Sequence, residues 1–174
     1  SFDTISAAGS NAAITHYRVS PKSNKKINPT DLILVDSGGQ YLEGTTDVTR
    51  TIIKGRVLPE QKFFYTKVLQ GLICLSKLKW PAGLTGKELD PLARYFLWEH
   101  SLDYDHGTGH GVGVFSNVHQ GPQGISRLNT VPLKPGMILS IEPGVYLEGK
   151  LGIRLENLVY VKKKSRNSRQ KKEF

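Results

Sequence analysis

Residues 138–159 read ILSIEPGVYLEGKLGIRLENLV: two apolar, β-branched runs flanking the triplet Glu148-Gly149-Lys150. Runs of this kind around a glycine-centred turn predict an antiparallel hairpin. Folded about Gly149, the hairpin sets Glu142 opposite Glu156, each seven residues from the turn. The run is entered through Pro135-Gly136 and leaves through LVYV, so both acids are expected to lie within largely apolar strands.

An earlier stretch, 32–51, repeats the design: LILVDSGGQYLEGTTDVTRT. LILVDSG is a continuous apolar run ending in turn residues, which reads as a buried strand, and TTDVTRTIIKG is a second strand rich in β-branched residues. A turn near Tyr41 and Leu42 puts Asp36 across from Asp47 on one sheet face. Like charges facing each other on a partly buried sheet are destabilising unless protonated or neutralised. Two such pairs therefore predict a cluster of divalent cations. Hard carboxylate oxygens combined with an imidazole suit Mn²⁺, with Co²⁺ or Zn²⁺ as alternatives.

Between the hairpins the apolar period changes. PEQKFFYTKVLQGLICLSKLKW repeats apolar residues every three or four positions behind Pro59, and GKELDPLARYFLWEH does the same from near Lys87. Both predict helices. Upstream, ITHYRV (14–19) reads as a short strand and PKSNKKINPT (21–30) as a polar loop. The order of strands, two helices and further strands predicts an α+β domain with helices packed on an antiparallel or mixed sheet.

Five histidines are present. His100, in FLWEHSL, reads as an ordinary helix-end residue, while His16, His106, His110 and His119 fall in strand or loop contexts. HGTGH puts His106 and His110 four apart, with glycines that allow close backbone approach to a ligand. It differs from the helical zinc motif, because Gly107 and Gly109 oppose a helix and no Glu follows the first His.

The chain has 174 residues, enough for one domain with a real core. At 38% apolar and 22% charged it fits a globular protein. It has no run of eighteen apolar residues to span a membrane, and its start lacks the basic and apolar regions of a signal peptide. A single cysteine, Cys74, permits no internal disulfide; it reads as a buried structural thiol compatible with a cytoplasmic location. Of the formal charge of +9, two thirds belongs to residues 162–174, KKKSRNSRQKKEF. That segment is expected to be a disordered basic tail, and its lack of interleaved aromatics argues against nucleic-acid binding.

Five segments in order, LILVDSGGQYLEGTTDVTRT, DHGTGHGVG, SNVHQGP, LKPGMILSIEPGVY and GIRLENL, closely resemble the aminopeptidase P (Xaa-Pro aminopeptidase) family. Prolidase and methionine aminopeptidase are more distant likenesses. The resemblance implies a pita-bread fold over 1–161, an α+β domain with internal pseudo-twofold symmetry. It also implies a dinuclear metallopeptidase that releases the N-terminal residue from peptides with proline in second position. By position, Asp36 resembles the ligand that holds one metal through both oxygens, and Asp47 and Glu156 the bridging carboxylates. His110 and Glu142 resemble ligands of the second metal, with Glu142 also taking a proton from the bridging water. His106 and His119 resemble the pair contacting the scissile peptide, His16 the histidine lining the proline pocket, and Arg154 a site arginine.

Members of that family carry a creatinase-like N-terminal domain and further catalytic-domain sequence ahead of the segment matched here. The expectation is thus a pita-bread domain incomplete at its N-terminal edge, paired with a second copy or with a chain supplying that part. A prolidase-like dipeptidase and a non-catalytic peptide-binding fragment are the alternative functions.

Overall fold

The computed structural model describes residues 2–163. The basic tail anticipated at 162–174 falls almost wholly outside these residues.

Alternation at period two builds the first sheet. In β2 (Leu32–Ser37) the buried positions are Leu32, Leu34 and Asp36, so a carboxylate shares the inward face with two leucines. This strand lies between β1 (Ile5–Ala8) and β5 (Val48–Ile53) in an antiparallel sheet of order β1-β2-β5. Two short strands, β3 (Gln40–Tyr41) and β4 (Gly44–Thr45), close the β2–β5 connection.

The register differs from expectation. Asp36 pairs with Thr49, and Tyr41 with Gly44, so the turn sits at Leu42-Glu43. Asp47 falls just before β5, diagonal to Asp36 rather than opposite it. A slip of two residues preserves the face, which is why the two acids still meet. The ITHYRV strand does not form. Residues 14–19 are bend, turn and coil, following a 3-10 turn at Gly9–Ala13, and the strand near this end is β1. Alanines and a serine concealed it.

Helix α1 (Pro59–Ser76) starts with Pro59 in its first turn, and the Leu58 amide donates to Gln61 Oε1 at 2.9 Å. Helix α2 (Gly86–Trp98) is opened by Thr85, whose hydroxyl accepts from the Lys87 amide while its own amide donates to Glu88 Oε2. The helices touch where Gly71 faces the Ala93 carbonyl, a space a Cβ would fill. Cys74 on α1 is half-buried, not fully buried as expected, because it borders the exposed Ile73 face.

The second hairpin matches its predicted register. β8 (Ile138–Ile141) pairs with β11 (Asn157–Tyr160), and β9 (Gly144–Leu147) with β10 (Leu151–Arg154), in one continuous antiparallel alignment. Gly149 turns it with φ +70°. The ladder is interrupted where Glu142 and Glu156 stand opposite each other; there the Glu142 amide donates to Thr108 O and the Glu156 amide to Thr49 O. β6 (Gly109–His110) pairs with β7 (Gly124–Ile125) alongside.

The main core joins Val68, Leu72 and Leu75 of α1 and Leu89, Ala93 and Leu97 of α2 to Leu139, Ile141, Val145 and Ile153 of the hairpin. A smaller core holds Ile5, Ala7, Ala12, Tyr17 and Leu34. Gly152 joins the two halves: a Cβ there would overlap the Ala12 carbonyl. Gly152→Ala should therefore lower stability by about 1–3 kcal/mol through overpacking, read as a drop in thermal midpoint. An unchanged midpoint would mean the 3-10 turn does not seat on β10.

Candidate metal centre

The two hairpins deliver their acids to one place. Asp36 and Asp47 come from the first sheet, Glu142 and Glu156 from the break in the second, and His110 from β6. Their ligand atoms form overlapping groups, each within 4.8 Å: Asp36–Asp47–Glu156, His110–Glu142–Glu156, and Asp47–His110–His119. Asp47, His110 and Glu156 each belong to two groups. All five lie on a cleft of about 420 Å³, with Phe2, Ile5 and Val118 as its apolar wall.

Three of the four carboxylates hold an oxygen that is buried without a hydrogen-bond partner among the described residues: Asp36 Oδ1, Asp47 Oδ1 and Glu156 Oε1. Orphaned buried acceptors of this kind are costly unless a cation meets them. Their other oxygens are engaged. Asp36 Oδ2 accepts from Arg154 Nη2 at 2.7 Å, and Glu156 Oε2 from Thr49 Oγ1 at 2.7 Å. Asp47 Oδ2 and Glu142 Oε1 lie 3.4 and 3.3 Å from His110 Nε2. The donor set of four carboxylates and an imidazole, with three buried oxygens unpartnered, fits divalent cations.

Burial pushes the Glu142 and Glu156 carboxyls upward, and their acidic neighbours push Glu156 further. Burial opposes a charged His110, but Asp47 and Glu142 outweigh it and raise this imidazole to about 9. His110 Nδ1 lies 3.0 Å from the Gly111 carbonyl, which can only accept, so Nδ1 carries a proton and Nε2 faces the carboxylates.

His106 behaves oppositely. Burial, with Arg154 and Arg94 nearby, lowers it to about 4. Its Nδ1 donates to the Gly107 carbonyl at 2.8 Å, and its Nε2 accepts from the Tyr146 hydroxyl at 2.9 Å. That hydroxyl in turn accepts from Arg154 Nη1 at 2.9 Å. Arg154 is 2% exposed and is held by Asp36 and Tyr146. His119 is exposed at the cleft edge, its ring 4.1 Å from that of His110. His16 lines the cleft from the chain's first segment.

Every residue singled out in the sequence thus borders one cleft. The reading missed Tyr146, Thr49 and Ser140, which orient the acids and His106. Thr49, Thr51 and Ser140 are polar residues at buried strand positions, a pattern that could have marked them.

The profile of metallopeptidase family M24 matches residues 1–163. A probable Xaa-Pro aminopeptidase P of Sclerotinia sclerotiorum is 52% identical over 165 residues, 93% of this chain. The chain spans only 28% of that relative's length. An X-prolyl aminopeptidase from Caenorhabditis elegans, described as a cytosolic enzyme with a di-nuclear active site, superposes with TM-score 0.87 and 46% identity over 91% of this chain and 26% of its own. A prolidase from Pyrococcus furiosus superposes with TM-score 0.83 and 36% identity over 92% of this chain and 46% of its own. The mixed architecture is accordingly the α+β pita-bread fold.

A depressed histidine favours the neutral folded form. Its stabilisation is present above the unfolded value of about 6.5 and is lost as pH falls toward the folded value. The His106 ring resonances should hold their neutral positions until pH nears 4; titration near 6.5 would show the ring to be solvated instead.

Proposed function

The chain belongs to metallopeptidase family M24, and from that premise we propose that its cleft binds two divalent cations and hydrolyses the peptide bond between an N-terminal residue and proline. The observation that carries this reading is the convergence of Asp36, Asp47, His110, Glu142 and Glu156, with three buried carboxylate oxygens left without a hydrogen-bond partner among the described residues. Residues 1–161 would form the catalytic domain. Asp36, Asp47 and Glu156 would hold one ion; His110, Glu142 and Glu156 the other, with Asp47 shared. Mn²⁺ suits this oxygen-rich set, and Co²⁺ or Zn²⁺ are alternatives. Bound there, the ions would supply Lewis acidity, polarising a carbonyl and lowering the pKa of water toward neutrality.

The chain's own groups would do the rest. Glu142, whose raised affinity for protons follows from burial, would accept a proton and return it to the leaving nitrogen. The proline nitrogen carries no N–H, so recognition must fall on the ring, against His16 and the apolar wall of Phe2, Ile5 and Val118. His119 would donate toward the developing oxyanion from the open side. His106 would reach the substrate by exchanging its bond to Tyr146. Arg154 would act through Asp36 by holding one of its oxygens. The cytosolic description of the C. elegans enzyme supports a cytoplasmic setting, with peptides as partners.

The test begins with the chelated protein. Mn²⁺ at about 100 times its Kd should add about 2.7 kcal/mol of stability, or roughly 5–10 °C in thermal midpoint, and should start hydrolysis of an Xaa-Pro-Xaa tripeptide. Asp47→Asn and Glu156→Gln should abolish both responses. Hydrolysis of Xaa-Pro dipeptides alone would point to a prolidase-like activity, and no response to any of the three metals would end the proposal.

A further inference from the structure

Outside the carboxylate cluster lies another buried charged pair. Asp90 and Arg94 sit one turn apart on α2, 0% and 2% exposed, with Arg94 Nε 2.7 Å from Asp90 Oδ2. Apart from that bond, the hydrogen bonds of the Arg94 side chain among the described residues go to residues 103–106, which lead into HGTGH. Nη1 donates to Asp103 Oδ1 at 2.7 Å and to the Tyr104 carbonyl at 2.6 Å, and Nη2 donates to the His106 carbonyl at 2.7 Å. Its guanidinium stacks 3.9 Å from the Tyr104 ring centroid. The Tyr104 ring in turn lies 4.8 Å from the ring of His106.

Asp90 grips the other end of the segment. Its Oδ1 is 2.6 Å from Thr108 Oγ1. A carboxylate can only accept, so the Thr108 proton points at Asp90, and Thr108 Oγ1 receives the Tyr104 hydroxyl at 2.6 Å. Thr108 continues toward the cleft through its backbone, since its carbonyl accepts the Glu142 amide at 2.7 Å. The clamp therefore ends on two cleft residues: His106 through its carbonyl and the ring beneath it, and Glu142 through Thr108.

A buried ion pair is a poor way to stabilise a helix, since apolar residues of similar volume often do as well or better. A planar fork that fixes two carbonyls and a carboxylate in one geometry is what an arginine supplies and a lysine cannot. We propose that Asp90 and Arg94 are positioning residues that set His106 and Glu142 in the arrangement needed for peptide hydrolysis, with Thr108 as the link. The inference rests on the hydrolytic reading of the cleft.

The experiment uses the full chain loaded with Mn²⁺ and an Xaa-Pro-Xaa tripeptide, together with amide hydrogen exchange on the same samples. Thr108→Val keeps the side-chain shape and removes the hydroxyl; Thr108→Ser keeps the hydroxyl; Arg94→Lys keeps the charge and removes the fork. At saturating Mn²⁺, Thr108→Val and Arg94→Lys should lower kcat by about 10- to 100-fold, with KM within about threefold. Thr108→Ser should retain most of the rate. In the two impaired variants the amides of residues 105–110 and of Glu142 should exchange faster, while those of β2 and β5 keep their protection. The inference is overturned if kcat stays within about twofold of the parent, if Thr108→Ser is as impaired as Thr108→Val, or if exchange rises uniformly across the core. A parent protein that fails to hydrolyse the tripeptide would remove the hydrolytic reading, and local exchange at 105–110 and Glu142 would then decide on the clamp by itself.

Discussion

Four carboxylates share one partly enclosed space, and the rest of the structure is arranged around that repulsion. Asp36, Asp47 and Glu156 are buried and Glu142 is half-buried. Against them stand Arg154, bonded to Asp36, and His110, between Asp47 and Glu142. Two cationic side chains leave the cluster short of positive charge, and burial makes the shortfall expensive. Without further cations the protein must hold protons on groups that would ordinarily lose them, as the upward shifts of Glu142 and Glu156 indicate. Metal ions and protons compete for the same deficit, so ion binding should release protons.

Strand ends and breaks make such crowding attainable. Asp36 is the fifth of six residues in β2, Asp47 directly precedes β5, and Glu142 and Glu156 occupy the gap between two ladders. At these positions side chains project from rigid backbone into a cleft instead of meeting within a closed ladder. The Glu156 amide still finds Thr49 O, and the Glu142 amide Thr108 O, so interrupting the sheet leaves neither donor unpaired.

The acids were legible in the sequence because burial and charge conflict there: carboxylates within runs such as MILSI and LILV demand a reason. The Gly149 turn gave the second hairpin its register, since a short turn leaves little freedom. The first hairpin carries an inner pair of short strands, and a longer connection of this kind tolerates a two-residue slip that sequence alone does not resolve. β1 was illegible for a different cause. ISAA has little β propensity, and pairing with β2 makes it a strand. Tyr146, Thr49 and the Asp90–Arg94 pair escaped notice because their importance lies in partners 8 to 107 residues away along the chain, beyond the reach of a local pattern.

The glycines of HGTGH can be understood in the same terms. A Cβ on Gly109 would overlap the Ser140 carbonyl. The absence of a side chain lets β6 lie directly on β8, where the His110 amide donates to Ser140 Oγ and that hydroxyl donates to Glu142 Oε1 at 3.1 Å. One hydroxyl thereby fixes the spacing between the imidazole and the acid. A bulkier residue at 109 would part the strands and carry His110 away from Glu142 without altering any of the five clustered side chains. The motif is therefore better understood as a packing requirement that brings an imidazole to the carboxylates than as a ligand signature in its own right, which is why glycines flank its central threonine although its histidines share the four-residue spacing of helical metal sites.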